Sequence, residues 1–421
     1  MMDISTLLAQ LALPAEAPES FSRRYAESLA DFDGPPEFMT MPFVERYYPW
    51  VGAEASHLAL FAAVADRVAG CKALQMYAHH MHKVMFVYPG EECGYGLGQW
   101  PDLRAALGPE LCGMFDLMVA MSAIPMWRAT HVKMGIPEEF SRASAEWLAG
   151  TLRIYYSAHP GCHGIDRGQI YWLRFNIEGR LFRIGRFEYM PDLLETWMPA
   201  VFRRRSDGHT VALCGEGWGL MPDGSRTFQL GKDAEAPIHP VLEISAGLVR
   251  GRLIRPDGFA SEREVELSMA EYEPVFREKD FVPGMHIPGG GNMTVEAAYD
   301  SWRRALEFFP KYLGKTPKGI VCRSWIFNPS FERELPDSNL ARLMREVYLF
   351  PERSSGRDGA FFIFGRSDGD FSGYPRDNSV RRAFHRIVES GETLKMGGMF
   401  ILPPEIIAGN GKRYREELCT N

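Results

Sequence analysis

Along the first third of the chain, apolar positions recur at spacings of three and four, the period of one face of an α-helix. The clearest runs are residues 55–85 and 111–127. Strand-like alternation is scarce there, and Gly34-Pro35-Pro36 and Pro89-Gly90 punctuate the runs. Residues 1–150 are therefore predicted to form a helical domain. In Gly135-Ile-Pro-Glu-Glu-Phe140 a further helix begins: Pro137 suits a first turn, and Glu138 and Glu139 complement the helix dipole. The spacing of Ile170, Leu173, Ile177, Leu181 and Ile184 predicts a helix over residues 169–184 rather than a hairpin, in spite of Gly179.

Beyond this point the pattern changes. Residues 186–190 have strand character, and Pro222-Asp-Gly224 and Pro256-Asp-Gly258 mark turns around the short apolar runs 241–244 and 249–254, which predicts antiparallel sheet. Residues 280–294 then read as a short strand, the glycines Gly289, Gly290 and Gly291, and the start of a helix. That helix carries the face Val295, Ala298, Tyr299, Trp302, Ala305, Leu306 and Phe309, and is expected to end near Phe309. A buried strand over 319–327 follows, then a helix over 335–347, and two late strands, 361–364 and 399–402, around a helix over 379–389. The fold class is α+β: a helical domain, residues 1–150, followed by residues 151–421 as a mixed, mostly antiparallel sheet domain with flanking helices.

A length of 421 residues favours two domains. The net charge of −7 comes from 54 acidic and 47 basic residues without a basic stripe, which argues against a nucleic-acid surface. Arg203, Arg204 and Arg205 are expected in a solvated loop. The first residues lack the basic and apolar regions of a signal peptide, and residues 111–127, with Asp116 and Pro125, are too short a greasy run to span a bilayer. Seven cysteines, odd in number and without a CxxC pair, fit reduced thiols and a cytoplasmic location. Oligomeric state is left open.

Strand, glycines, helix is an order suited to holding a phosphate. Glycine brings backbone close to a ligand at φ values other residues avoid, and a helix N-terminus offers N–H groups and a positive dipole end. The partner expected here carries a pyrophosphate.

Four stretches resemble a known family of bacterial proteins that join a helical N-acyltransferase N-terminal domain to a C-terminal domain of the GNAT (N-acetyltransferase) fold. They are Met134-Gly-Ile-Pro-Glu-Glu139, Arg180-Leu-Phe-Arg-Ile-Gly-Arg-Phe-Glu188, His286-Ile-Pro288 with Ala305-Leu-Glu-Phe-Phe309, and Cys322-Arg-Ser-Trp-Ile-Phe-Asn-Pro329 leading to Asp337-Ser-Asn339. The resemblance implies that acyl-CoA or acetyl-CoA is the co-substrate, lying across the fourth strand of the GNAT sheet with its pyrophosphate on the following loop. The family pattern there is Gln or Arg, two residues, Gly, any residue, then Gly or Ala. In this chain Ile287, Gly289, Gly290, Gly291, Asn292 and Met293 occupy the loop, and His286 stands where Gln or Arg is expected. Backbone N–H groups can still cradle the anion.

Transfer of an acyl group to an amine by direct attack needs a base and a proton donor for the departing thiolate. His286 fits the base, and equally a ring that ties down the glycine loop. Glu188 is a second candidate, acting through water, against a salt bridge with Arg183 or Arg186. Ser338 and Asn339 lie where GNAT enzymes place the thiolate's donor, and both residue types also favour helix N-caps. Cys322 reads as a buried hydrophobe more readily than as a covalent carrier. His79, His80 and His82, and His159 with Cys162 and His163, lack a complete zinc ligand set, so no metal is expected. Met76, Tyr77, Met81, Met85, Met114, Met118 and Met121 read as core before channel lining. An esterase is excluded by the absence of a Gly-x-Ser-x-Gly elbow. The expected function is acyl transfer from CoA, or a carrier's pantetheine, to a small-molecule amine, with the helical domain selecting the acceptor or covering the cleft. The rivals are a non-catalytic acyl-CoA-binding protein and a GNAT-fold hydrolase or decarboxylase.

Overall fold

The computed structural model describes residues 2–52, 54–88, 96–191, 198–226, 235–368 and 370–416. Pro89, Gly90, Cys93 and Cys419 lie outside them. The chain divides into two compact units, Met1–Arg183 and Ile184–Asn421. Gly150 and Thr151, where the sequence pattern placed the division, lie within the helix Trp147–Ala158 of the first unit.

Helices make up the first unit, including Met41–Val51, Leu58–Ala69, Lys72–His82, Pro109–Met121 and Glu138–Ala145. Met76, Tyr77, Met81, Met85, Met114, Met118 and Met121 all belong to its core, none more than 1% exposed. Their spacing is thus explained by packing. By length and composition Pro109–Lys133 could cross a membrane, but 78% of its most apolar window is buried inside the protein, as in a core helix. Asp116 is a buried charge within it, and the Arg167 guanidinium meets both carboxylate oxygens, Nε at 3.1 and 3.2 Å. Arg167 Nη1 also donates to Tyr77 Oη, Trp100 O and Pro101 O, so a buried pair is held with its hydrogen bonds made.

The second unit contains two six-stranded sheets. The first has the order β1-β2-β9-β10-β12-β11, with β1 Phe182–Ile184, β2 Phe187–Met190, β9 Gly284–His286, β10 Ile320–Ser324, β11 Tyr348–Pro351 and β12 Gly397–Ile401. Only β9 and β10 pair in parallel among the registered neighbours; β2 with β9, β10 with β12, and β11 with β12 are antiparallel. The second sheet runs β5-β6-β4-β3-β8 with β7 on β6. Its strands are β3 Ala200–Arg204, β4 Thr210–Leu213, β5 Leu242–Ile244, β6 Leu248–Ile254, β7 Ala260–Ser268 and β8 Tyr272–Pro274. It joins the first sheet at β11, where Tyr348 Oη donates to Ile254 O at 2.6 Å and Leu349 N–H to Pro256 O at 3.2 Å.

Several expectations change. In place of one helix over 169–184, a 3-10 turn Arg167–Trp172 and a short helix Leu173–Ile177 give way to the hairpin β1–β2. Leu181, just ahead of β1, and Ile184, within it, are both buried, and spacings of three cannot separate the two states over so short a run. Residues 361–364 are not a strand but part of the helix Ala360–Phe364. An all-aromatic and aliphatic run of four is ambiguous by period, and Gly359 and Gly365 bracket it as helix ends. The helix expected over 335–347 is only Asn339–Met344, and the strand expected over 319–327 ends at Ser324. Arg203 and Arg204 end a strand rather than form a loop, and all three arginines are paired: Arg203 with Glu405, Arg204 with Asp207, Arg205 with Glu273.

Candidate functional site

The helix Val295–Leu313 packs on one face of the first sheet. Trp302 stacks near Phe187 and its Nε1 donates to Met285 Sδ at 3.3 Å, while Tyr189 Oη shares a hydrogen bond of 2.8 Å with Ser301 Oγ. Phe187, Tyr189 and Met285 therefore face this helix. Because strand side chains alternate, Glu188 and His286 face the other way. They are direct cross-strand partners in the β2–β9 ladder, a relation that holds Cβ atoms about 4.5–5.5 Å apart. Two candidates 98 positions apart in sequence thus stand side by side, at the C-terminal end of β9 and just ahead of the glycine loop.

Glu188 is 2% exposed, whereas His286 keeps part of its surface. Desolvation of the ring nevertheless pushes the His286 pKa down to about 4, so the imidazole is neutral at pH 7. β9 and β10 register at Gly284↔Val321 and, among the described residues, at no later pair, although β10 continues to Ser324 in partnership with β12. The two parallel strands are thus joined at their beginnings, and their ladder stops there. Arg323 lies two residues beyond the registered pair on β10. Glu352, 3% exposed, lies 4.0 Å from Arg323 Nε and 3.5 Å from Arg226 Nη1. Burial raises its pKa against the pull of these cations.

After β9 come Ile287 and Pro288, then Gly289, Gly290, Gly291 and Asn292, all four exposed, then Met293 and the N-cap Thr294, whose Oγ1 accepts from Ala297 N at 3.2 Å. Gly290 and Gly291 have φ of 80° and 70°, the left-handed region that glycine enters at little cost. The predicted order of strand, glycine loop and capped helix is present; the helix runs on past Pro310 to Leu313. Arg186, at the tight turn between β1 and β2, lies against this loop: its Nη1 donates to Pro288 O at 3.0 Å. Gly185 makes that turn possible, with φ of 61° and Ser301 so near that an added Cβ would stand 3.3 Å from its Cα.

Ser338 and Asn339 belong to a different element. Ser338 is the N-cap of Asn339–Met344: its Oγ accepts from Ala341 N at 3.0 Å and donates to Leu335 O at 2.7 Å. Donation to a thiolate would require giving up the Leu335 bond. Among the described residues neither side chain hydrogen-bonds to β2, β9 or the glycine loop. Cys322 faces the Val295–Leu313 helix side of the sheet, and burial raises its pKa far above the usual thiol range, against a nucleophilic role. The histidine cluster is tied into the helical core: His80 to Ser28 Oγ and Phe21 O, His82 to Ser122 Oγ, His79 to Ser28 O. A cavity of about 330 Å³, lined by Arg203, Pro274, Lys318, Leu402 and Pro403 among others, opens where β10 begins and β12 ends. That is the end of the sheet away from the glycine loop, so it does not serve the Glu188–His286 site.

Arg186, Arg323 and Glu352 were not among the sequence candidates. Arg323 carried a signal, a charge inside an otherwise apolar strand. Arg186 carries none, because the pattern marks it only as the start of a strand and not as part of a tight turn.

A helical unit followed by a sheet with one splayed parallel pair and a glycine loop before a long helix is the GNAT class of α+β architecture. Residues 181–400 match the family described as the GNAT-like C-terminal domain, and the chain belongs to that family. Among solved structures it is similar to an acyltransferase in complex with decanoyl-CoA and teicoplanin, at 18% identity, covering 95% of this chain and 99% of that one with a TM-score of 0.58. It is also similar to an acyltransferase in complex with decanoyl-CoA, at 17% identity over 96% and 100% of the two chains, TM-score 0.55. A third is an acyltransferase with CoA and 10C-teicoplanin, at 18% identity over 95% and 99%, TM-score 0.57. At these identities the likeness is one of fold. No curated protein sequence matches the chain.

Proposed function

We propose that this protein is an acyl-CoA-dependent acyltransferase that moves an acyl group from the CoA thioester to an amine. The observation that carries this is the loss of β9–β10 pairing beyond Gly284↔Val321, immediately before a glycine loop with two left-handed residues and a capped helix. A gap between parallel strands presents unsatisfied backbone to an extended ligand arm, and the loop beyond it suits a diphosphate. The family membership, and the acyl-CoA and CoA complexes of acyltransferases that share the fold, support the same donor.

In this reading the acceptor nitrogen attacks the thioester carbonyl. A C–N bond forms, the C–S bond breaks, the nitrogen gives its proton to a base, and the thiolate leaves to be protonated. Neutral His286 has a lone pair for that proton, and Glu188 beside it stabilises the imidazolium that results. Being desolvated, His286 is a weak base in the resting protein, and an incoming ammonium must lose its proton before or during attack. An adjacent buried carboxylate reduces that cost.

The test is a thermal-shift series with free CoA, acetyl-CoA, longer acyl-CoAs and plain nucleotides, followed by product mass with an amine panel. A ligand at 100 times its Kd adds about 2.7 kcal/mol to folded-state stability. No shift with any CoA species at millimolar concentration sinks the proposal. Binding without turnover selects the non-catalytic reading, and free acid or a decarboxylated product selects the hydrolase or decarboxylase.

A further inference from the structure

The cavity of about 330 Å³ between the start of β10 and the end of β12 takes no part in the chemistry above. We propose that it is a second ligand site, for a small molecule that joins one carboxylate to a compact apolar body. Its volume falls within the range of ligand pockets, roughly 300–1,000 Å³. It lies wholly in the second unit, where β3, the segment after β8, the approach to β10 and the chain after β12 all contribute to it. Its ligand would bind with or without CoA.

The charges in the lining point to an anion. Arg203, Arg277 and Lys318 come from three different stretches of chain. Arg203 donates from Nη2 to Glu405 Oε1 at 3.0 Å and makes no other hydrogen bond among the described residues, so Nε and Nη1 stay uncommitted on a side chain only 20% exposed. The Arg277 and Lys318 side chains have no carboxylate partner among the described residues. Each is tied down through its backbone instead: Arg277 N–H donates to Asp280 Oδ2 at 2.8 Å, and Lys318 N–H to Phe281 O at 2.9 Å. The nearby carboxylates are already engaged. Glu273, the cross-strand partner of Arg203, pairs with Arg205, and Glu405 is 3% exposed against Arg203. Among the lining groups and their partners, four cations meet three carboxylates, which leaves one positive charge for a ligand to neutralise.

A single unbalanced charge favours a monoanion over a polyphosphate, and the planar fork of Arg203 suits a carboxylate. The remaining wall is apolar and stiff. Pro274, Pro403 and Pro404 have fixed φ, and the last two open the helix Pro403–Ala408 directly after Leu402. A preformed wall of this kind takes the apolar body of a ligand out of water while ordering little of the protein.

The experiment is calorimetry on the full chain with three probes: phenylacetate, its uncharged counterpart phenylacetamide, and inorganic phosphate, an anion without an apolar body. Phenylacetate is expected to bind once per chain with a millimolar Kd or tighter, and the other two far more weakly. Replacing both exposed cations, Arg277→Gln with Lys318→Gln, should weaken phenylacetate about 10- to 100-fold, the effect of losing charge-assisted hydrogen bonds, and leave the melting temperature unchanged. Saturating CoA should leave its affinity within about twofold, because the cavity and the glycine loop lie at opposite ends of the sheet. Equal binding of phenylacetamide overturns the part played by charge, and equal binding of phosphate overturns the part played by the apolar wall. Unchanged affinity in the double variant, displacement by CoA, or no binding by wild type at tens of millimolar overturns the site itself.

Discussion

Replacing Gly291 by alanine puts the glycine cradle to a quantitative test. The residue sits at φ 70°, and a Cβ there would meet only Arg186 side-chain atoms at 3.5 Å or more, ordinary contact distance. Steric exclusion is therefore not the issue; the cost is the left-handed backbone itself, about 1–2 kcal/mol for an L residue. Gly291 is exposed, so in the free protein the loop can relax to a normal φ. The strain then appears only when a ligand requires the observed geometry. In that case CoA affinity drops about 5- to 30-fold, at 1.4 kcal/mol per factor of ten, and the melting temperature hardly moves. If the loop is instead held left-handed without ligand, affinity is kept and the melting temperature falls by roughly 2–8 °C for a unit of this size. Asparagine, which tolerates this region, should lose less than alanine on either scale. Calorimetry with CoA and differential scanning of the free variant give both numbers. A melting loss with unchanged affinity assigns the strain to the free protein, and no change in either refutes the requirement for a left-handed residue.

Other expectations concern charge and protonation. Arg167→Met strands Asp116 in the helical core and should cost about 3–5 kcal/mol, whereas Arg167→Met with Asp116→Leu should recover much of it; chemical denaturation of the three proteins reads this out, and a single-variant loss under 1 kcal/mol would contradict the buried pair. His80, His82 and His131 are each pushed down to about 4 by burial. Their folded pKa values lie below the unfolded 6.5, so the stability they contribute is complete above pH 6.5 and declines as pH falls toward 4. The slope from three such groups is about 4 kcal/mol per pH unit. His82→Gln should remove about a third of that slope in a pH series of urea midpoints. For turnover, His286 as base predicts a flat kcat above about pH 5 with loss only as pH nears about 4. An acidic limb near pH 6.5–7 would assign the proton to another group. Glu188→Gln should lower kcat with little change in acyl-CoA affinity, and an unchanged kcat removes Glu188 from the chemistry.

What the chain disclosed in advance follows from how local each signal was. The amphipathic helix after the glycines was legible because its face repeats over five turns and its start carries a threonine cap and glycines before it. Its true buried set adds Ser301 and Phe308. Ser301 is a polar residue inside the stripe, and it is buried because it bonds Ile184 O and Tyr189 Oη across the sheet, a partner choice no local pattern contains. Glu188 and His286 could be named singly as candidates, but their pairing is a fact of β-register between distant strands. Strands of three and four residues leave too little alternation to set that register.

The hairpin β1–β2 shows how a short apolar run can hide where a side chain is placed. Leu181 and Ile184, three apart, extend the helical spacing of Ile170, Leu173 and Ile177, and so short a run carries no alternation to oppose it. Gly185 rather than Gly179 marks the turn between the two strands. A glycine followed by arginine at the tip of a two-strand turn needs positive φ, and here it also admits the close approach of the Val295–Leu313 helix. Once the turn exists, Arg186 is carried to the sheet's glycine-loop end, opposite a chain segment one hundred residues away.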